Sequence, residues 1–232
     1  MPKSLHNKGN FIISLGELCQ WISEKAIDLG VDIFPGFPAQ KYLTDESGRV
    51  IGIATGDMGI DKEGNQKGTY TPGMDILAKQ TIFAEGARGH LGKQLIKEFN
   101  LDEGKTPQHF AIGFKEIWEV DNDKHSPGDV VHSMGWPLKG GTSGGGFLYH
   151  FDNNKIAVGL IVDLNYSNPS HSPFQEFQQF KQHPSIKQFL ELGKRVSYGA
   201  RAITKGGINS LVKMEFDGGM IVGCDAGTLN PS

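Results

Sequence analysis

Three short glycine-bearing runs have the residue types and spacing that could hold a ligand. Thr81-Ile82-Phe83-Ala84-Glu85-Gly86-Ala87-Arg88-Gly89 is an apolar stretch that ends in small residues, and Leu91, Leu95, Ile96 and Phe99 follow at helical intervals. A strand that delivers small residues at its end lets backbone pass close to a flat or phosphorylated ligand, and the next helix start turns free N–H groups toward anions. Taken alone, the run reads better as a tight strand-to-helix connection with no ligand. The second run begins at Gly218-Gly219 and carries an apolar Met220-Ile221-Val222 into Gly223-Cys224-Asp225-Ala226-Gly227. The third, Thr142–Gly146, precedes Phe147-Leu148-Tyr149-His150. Adjacent glycines there would expose N–H and C=O groups to a carbonyl ligand, with no side chain to block a flat ring. Without further information this third run reads as a flexible turn between strands.

No acid–base machinery competes with these runs. His132 and His150 have no paired carboxylate, no HExxH and no Ser/His/Asp pattern around them, so both read as structural or surface residues. Phe174, Phe177 and Phe180 recur on neighbouring helical turns, a spacing expected of core packing rather than of a ligand channel. Cys19 and Cys224 are the two cysteines, and neither has a CxxC or Cys/His partner in sequence. Cys224 reads as a small buried hydrophobe.

The bulk composition narrows the function classes. The 232 residues suffice for one large or two modest domains. Lys and Arg total 23 against 26 Asp and Glu, a net charge of −3, so there is no basic field for nucleic acid and no such partner is expected. The N-terminal residues lack the basic start and apolar core of an export signal. The most apolar stretches, such as Ile156–Leu164, are well short of the roughly 20 residues a spanning helix needs, so any membrane contact is expected to be peripheral.

The elements that would position these runs follow from periodicity. Ser14 and Glu17 make an S-x-x-E capping box before Leu15, Leu18, Ile22, Ala26 and Leu29, and Gly30 ends that helix. Val31–Phe34 reads as a buried strand. Asp45-Glu46-Ser47-Gly48 turns a hairpin into Arg49–Thr55, and residues 57–72 read as an exposed excursion. Lys79–Ala84 is the strand entering the first glycine run. From about Lys105 the character changes: His109–Val120, Asp129–Trp136, Phe147–Phe151 and Ile156–Leu164 read as strands of an antiparallel sheet, with Asp152-Asn153-Asn154 as a hairpin turn. Ser172-Pro173 opens a helix that Pro184 breaks before a second short one, and Arg195–Ile203 returns as strand.

With those pieces in place, two resemblances emerge. Gly218–Pro231 resembles the second FAD fingerprint of glutathione-reductase-like and hydroxylase-like flavoproteins, an apolar strand running into G-D-A-A-G-x-x-N-P. The usual acid follows the first glycine directly; here Cys224 holds that slot and Asp225 comes one later, which leaves open which of them faces the flavin. More particularly, His6–Ile12, Gly52-Ile53-Ala54-Thr55, Thr81–Gly86, Gly135-Trp136-Pro137-Leu138, Gly145–His150, Ser172–Phe177, His183–Ile186, Tyr198–Ala202 and Gly223-Cys224 are similar, in order, to the electron transfer flavoprotein–ubiquinone oxidoreductase family. That resemblance implies an FAD enzyme at a membrane surface that takes electrons from reduced electron transfer flavoprotein through FAD and a 4Fe-4S cluster to ubiquinone, in the respiratory chain that serves fatty acid oxidation. It implies quinone contact at Gly144 and Gly145, in a loop before the Phe-Leu-Tyr-His strand. Ser143 stands where the family often has a tyrosine, so an aromatic wall would come from elsewhere. FAD contact is implied at Ala84, Glu85, Gly86, Gly223, Cys224 and Asp225.

The expected fold is a mixed α/β chain: an FAD-binding, glutathione-reductase-like or hydroxylase-like portion over residues 1–105 and 205–232, with an antiparallel quinone-binding domain inserted at 106–204. No G-x-G-x-x-G precedes the first helix, and two cysteines cannot ligate a four-thiolate cluster. A segment of a longer protein is therefore expected, binding FAD weakly or not at all when isolated. A bacterial cytoplasmic or mitochondrial inner membrane is the expected location. The alternatives are a geranylgeranyl-reductase-like or hydroxylase-like FAD enzyme and a non-catalytic interaction module.

Overall fold

The structure is a computed structural model that describes residues 9–229. The start of the His6–Ile12 run and the Asn230-Pro231 close of the second fingerprint lie outside them. In chain order the helices are α1 (Leu15–Asp28), α2 (His90–Glu98), α3 (Pro173–Gln182) and α4 (Pro184–Leu190). The strands are β1 (Ala39–Thr44), β2 (Val50–Thr55), β3 (Met58–Ile60), β4 (Gln66–Thr71), β5 (Asp75–Leu77), β6 (Thr81–Phe83), β7 (Phe110–Glu119), β8 (Val130–Met134), β9 (Gly144–Phe151), β10 (Lys155–Asp163), β11 (Lys194–Thr204), β12 (Glu215–Phe216) and β13 (Gly219–Ile221). This is a mixed α/β chain with antiparallel sheets. Contacts divide it into two units, one holding α1 with His109–Lys205 and the other holding Leu29–Gln108 with Gly206–Leu229.

In the second unit, the β1–β2 hairpin closes where the Asp45 carboxylate accepts from the N–H groups of Ser47 and Arg49 at 2.9 and 3.1 Å. The excursion after β2 is itself a hairpin, β3–β4, closed the same way by Asp61 on Glu63 and Asn65. Strand β13 lies between β12 and β6, antiparallel to the first and parallel to the second. The apolar stripe of α2 buries Leu91 and Leu95 with Val50, Phe83, Leu101, Ile221 and Ala226. Val31–Phe34 does not form the expected strand: Val31, Ile33 and Phe34 are exposed and no ladder forms there. Four residues with the charged Asp32 among them carry no periodicity of their own, and the Pro35-Gly36 turn, with Gly36 at φ +84°, ends the run before it can pair.

In the first unit, β11-β7-β10-β9-β8 form one antiparallel sheet, with the β9–β10 hairpin turning through Asn153 and Asn154 in the left-handed region. Ser172 caps α3 by accepting from the Gln175 N–H, and Pro173 begins it where a missing N–H costs nothing. Helices α3 and α4 cover one face, burying Phe177, Phe180, Ile186 and Leu190 against Leu148, Ile156, Val158, Leu160 and Val162. Phe174 departs from the core expectation for its set: at the first turn of α3 it stays half exposed, its ring edge-on to Phe114. Beneath α3, the Lys181 ammonium meets both oxygens of Glu116 at 2.9 and 3.0 Å, Arg195 reaches the same carboxylate at 3.1 Å and the Trp118 indole donates to it at 2.9 Å. Burial pushes the Glu116 carboxyl upward, but these donors and cations outweigh it and hold it below the usual glutamate range. Ser14 caps α1 as its spacing requires, accepting from the Glu17 N–H at 3.4 Å, yet no residue of α1 is buried.

Candidate functional site

In the second unit, the parallel pairing of β6 with β13, Phe83 beside Ile221, brings the two glycine-bracketed strand ends together. Ala84, Glu85 and Gly86 follow one strand and Gly223, Cys224 and Asp225 the other, so the six sequence candidates occupy one place in the fold. The contact between the runs is specific: the Glu85 N–H donates to the Asp225 carboxylate at 3.3 Å. The Asp225 side chain is buried against α2, where a Cβ added at Gly89 or Gly92 would run into its oxygens. Burial, the larger influence, and the neighbouring Glu85 charge push the Asp225 carboxyl above the usual aspartate range, against the pull of the Glu85 N–H.

Glu85 completes the joint. Its carboxylate accepts from the N–H groups of Leu91 and Gly92 at 2.9 and 2.8 Å and lies 3.0 Å from the His90 ring. The positive end of α2, free in the sequence reading to meet an anionic ligand, is therefore met by the chain's own acid. What stays bare is backbone: Gly86 at φ +82° and Gly223 at φ +65° have nothing within 4 Å of where a Cβ would stand. These turns can present main-chain N–H groups to a ligand in contact range. Cys224 beside them is partly exposed.

In the first unit, Gly144 and Gly145 are not in a loop, as the sequence suggested, but open β9. Gly144 pairs with Val162, and Gly145 lies between Ile161 and Met134. Flanking ladders on both sides override the poor strand propensity of glycine. Each glycine is required by a neighbour. A Cβ at Gly144 would strike the Ile161 carbonyl and stand 2.6 Å from Leu138 Cδ1, one at Gly145 would stand 2.5 Å from the Ser133 carbonyl, and one at Gly146 would enter the Phe180 ring. The sequence reading missed Leu138 and Phe180 as the residues behind this run. The helical spacing that made Phe180 a core residue was the available signal.

Side chains alternate along β9. Gly146, Leu148 and His150 face α3 and α4, while Gly145, Phe147, Tyr149 and Phe151 face the other way, with Phe147 stacked on Tyr149 at 5.6 Å and Tyr149 5.8 Å from Phe151. Burial raises the Tyr149 phenol above its ordinary pKa, so it keeps its proton at neutral pH. His150 is buried and accepts the Ser126 N–H on Nδ1 at 3.1 Å; burial first, then His125, holds its pKa down. His132, on β8, is exposed.

Residues 110–203, which are this five-stranded sheet with α3 and α4, match the family model described as ETF-QO, ubiquinone-binding. Over 231 residues, 99% of the chain is 62% identical to the electron transfer flavoprotein-ubiquinone oxidoreductase of Pseudomonas aeruginosa. By sequence, the chain is a relative of the electron transfer flavoprotein-ubiquinone oxidoreductases. The mitochondrial proteins of that name from Arabidopsis thaliana and Homo sapiens are each 49% identical, over 99% and 97% of the chain. The chain spans 42% of the Pseudomonas relative and 37% of each mitochondrial one. Among solved structures, a geranylgeranyl bacteriochlorophyll reductase-like protein from Thermoplasma acidophilum superposes with a TM-score of 0.64 at 17% identity, covering 90% of this chain and 46% of that one. A flavin-dependent brominase superposes at 0.60 with 13% identity, covering 96% and 51%. At such identities these two show a shared fold only.

Among the described residues, no helix is long and apolar enough to cross a membrane, and no group of three or more His, Cys, Asp or Glu could hold a metal ion.

Proposed function

We propose that this chain is the quinone-side portion, with part of the FAD-binding portion, of an enzyme that moves electrons from reduced electron transfer flavoprotein to ubiquinone at a membrane surface, in a bacterial cytoplasmic or mitochondrial inner membrane. The observation that carries this reading is the match of residues 110–203 to the ubiquinone-binding family model inside an end-to-end identity of 62%.

Gly144 and Gly145 meet the quinone head group on this reading. Ala84, Glu85, Gly86, Gly223 and Cys224 line the FAD, whose isoalloxazine supplies the one- and two-electron chemistry. The bare Gly86 and Gly223 turns fit such a group. Asp225 serves it indirectly, because its carboxyl is committed to α2 and the Glu85 N–H, which leaves Cys224 as the side chain of the pair nearer the flavin. The donor set here does not fit an iron–sulfur cluster: two cysteines, one in each unit, cannot supply four thiolates, so no step is routed through one by this chain's residues.

The test is reduction of a water-soluble ubiquinone by the holoenzyme with reduced electron transfer flavoprotein as donor. Saturable quinone reduction with flavin turnover is the expected result. Flavin reduction without any quinone-dependent reoxidation overturns the assignment.

A further inference from the structure

One side chain fills the helix side of the sheet at the glycine run. A Cβ built on Gly146 would collide with Cζ of Phe180 and stand 2.6 and 2.8 Å from its two Cε atoms, so the far edge of that ring points at the Gly146 main chain. Phe180 is 2% exposed, within the buried cluster that includes Leu138, Leu148, Leu160 and Val162, and close packing leaves the ring no second place to go. Its height above the sheet is set by the next residue. The Lys181 ammonium donates to both Glu116 oxygens on β7 at 2.9 and 3.0 Å and lies 5.0 Å from the centre of the Phe177 ring, which stacks on Phe114. Helix α3 is thus tied to β7, two strands away from β9, and from that anchor Phe180 reaches across to the glycines. Within the sheet, Gly144 pairs with Val162, Gly145 with Ile161 and Met134, and Gly146 with Leu160 and Ser133. Three successive glycines have the widest backbone freedom of any residues and no side chains to fill a gap, so the ring is what stops this stretch of strand from bowing toward the helices.

We propose that Phe180, anchored through Lys181 and Glu116, is a positioning residue for quinone reduction: its ring edge fixes the main chain at Gly146 and, through it, the N–H and C=O groups of Gly144 and Gly145 that meet the quinone. This rests on the quinone reading above and places no ligand beside Phe180. The fit is matched in both directions, since a shorter side chain at 180 leaves a void and a methyl at 146 overfills the same space.

The test is steady-state quinone reduction by the holoenzyme carrying Phe180→Leu, Gly146→Ala or both, with the rate of flavin reduction by electron transfer flavoprotein read separately. Each single change shifts the main-chain groups that face the quinone and should raise the quinone KM roughly two- to tenfold, the worth of one such hydrogen bond. Flavin reduction should keep its wild-type rate. In the double variant the added methyl enters the space that the shorter side chain vacates, so the KM should return toward the wild-type value instead of rising by the product of the single effects. An unchanged KM in both single variants, a loss of both rates together, or a double variant whose KM rises by that product would each overturn the proposal. Wild-type protein that shows no quinone dependence at all would instead overturn the functional reading beneath it.

Discussion

Replacing Lys181 by Met removes the cation but keeps the stem volume, and leaves Glu116 buried at the foot of α3. The Glu116 side chain is 3% exposed and both its oxygens are taken by Lys181, so the variant strands a carboxylate where water has little access. Breaking a buried pair from one side costs about 3–5 kcal/mol, of which the remaining Arg195 contact at 3.1 Å and the Trp118 N–H offset a part. The expected net loss is therefore about 2–4 kcal/mol. The double change Glu116→Leu with Lys181→Met removes both charges and should recover most of that loss. The assay is urea unfolding followed by tryptophan fluorescence. Trp21, Trp118 and Trp136 are the three tryptophans and all lie in the unit built on the five-stranded sheet, so the signal reports that unit alone. The sign with pH is also fixed. The folded Glu116 pKa is depressed, so its stabilisation is present above the ordinary glutamate range and fades as pH falls through the lower folded value. A single variant that loses less than about 1 kcal/mol, or a double variant as unstable as the single, would refute the account of this cluster.

Three further outcomes follow from the same physics. Asp225→Asn keeps an acceptor for the Glu85 N–H but cannot ionise; because the folded Asp225 pKa is raised, the wild type loses stability as pH climbs above the ordinary aspartate range, and the variant should flatten that slope in thermal unfolding from pH 4 to 7. Glu85→Ala frees the N–H groups of Leu91 and Gly92 and should cost about 1–2 kcal/mol, read by circular dichroism melts. His150 is held neutral by burial and His125, so stability of its unit should fall as pH drops below about 6.5, the ordinary histidine value, and His150→Gln should reduce that dependence in the tryptophan signal.

Much of this architecture was legible where a local rule acts alone. The Ser14 cap, the Ser172-Pro173 helix start, the Asp45–Gly48 turn and the Asn153-Asn154 hairpin each depend on a few neighbouring residues, and the structure contains all four. The pairing of Thr81–Phe83 with Gly219–Ile221 was implied only by a fingerprint, because the partners are about 140 residues apart and no local signal specifies a parallel ladder. Val31–Phe34 shows the reverse failure, since Val31, Ile33 and Phe34 are apolar but find no partner strand among the described residues. The glycine run reads as a loop because glycine's local preference is for turns, whereas the demand for glycine at 144, 145 and 146 comes from Ile161, Ser133 and Phe180, distant in sequence. Likewise the resemblance marks Glu85 and Asp225 only as expected FAD contacts; their engagement of α2 needs the fold.

The quinone ring is expected at the glycine run that opens β9. Photolabelling the holoenzyme with an azido-substituted ubiquinone, followed by peptide mapping, reads that position directly. Label on the peptide that carries Gly144 and Gly145, competed away by unlabelled ubiquinone, is the result predicted here. Competed label confined to α3 and α4, or to the peptides around Ala84 and Gly223, would contradict it.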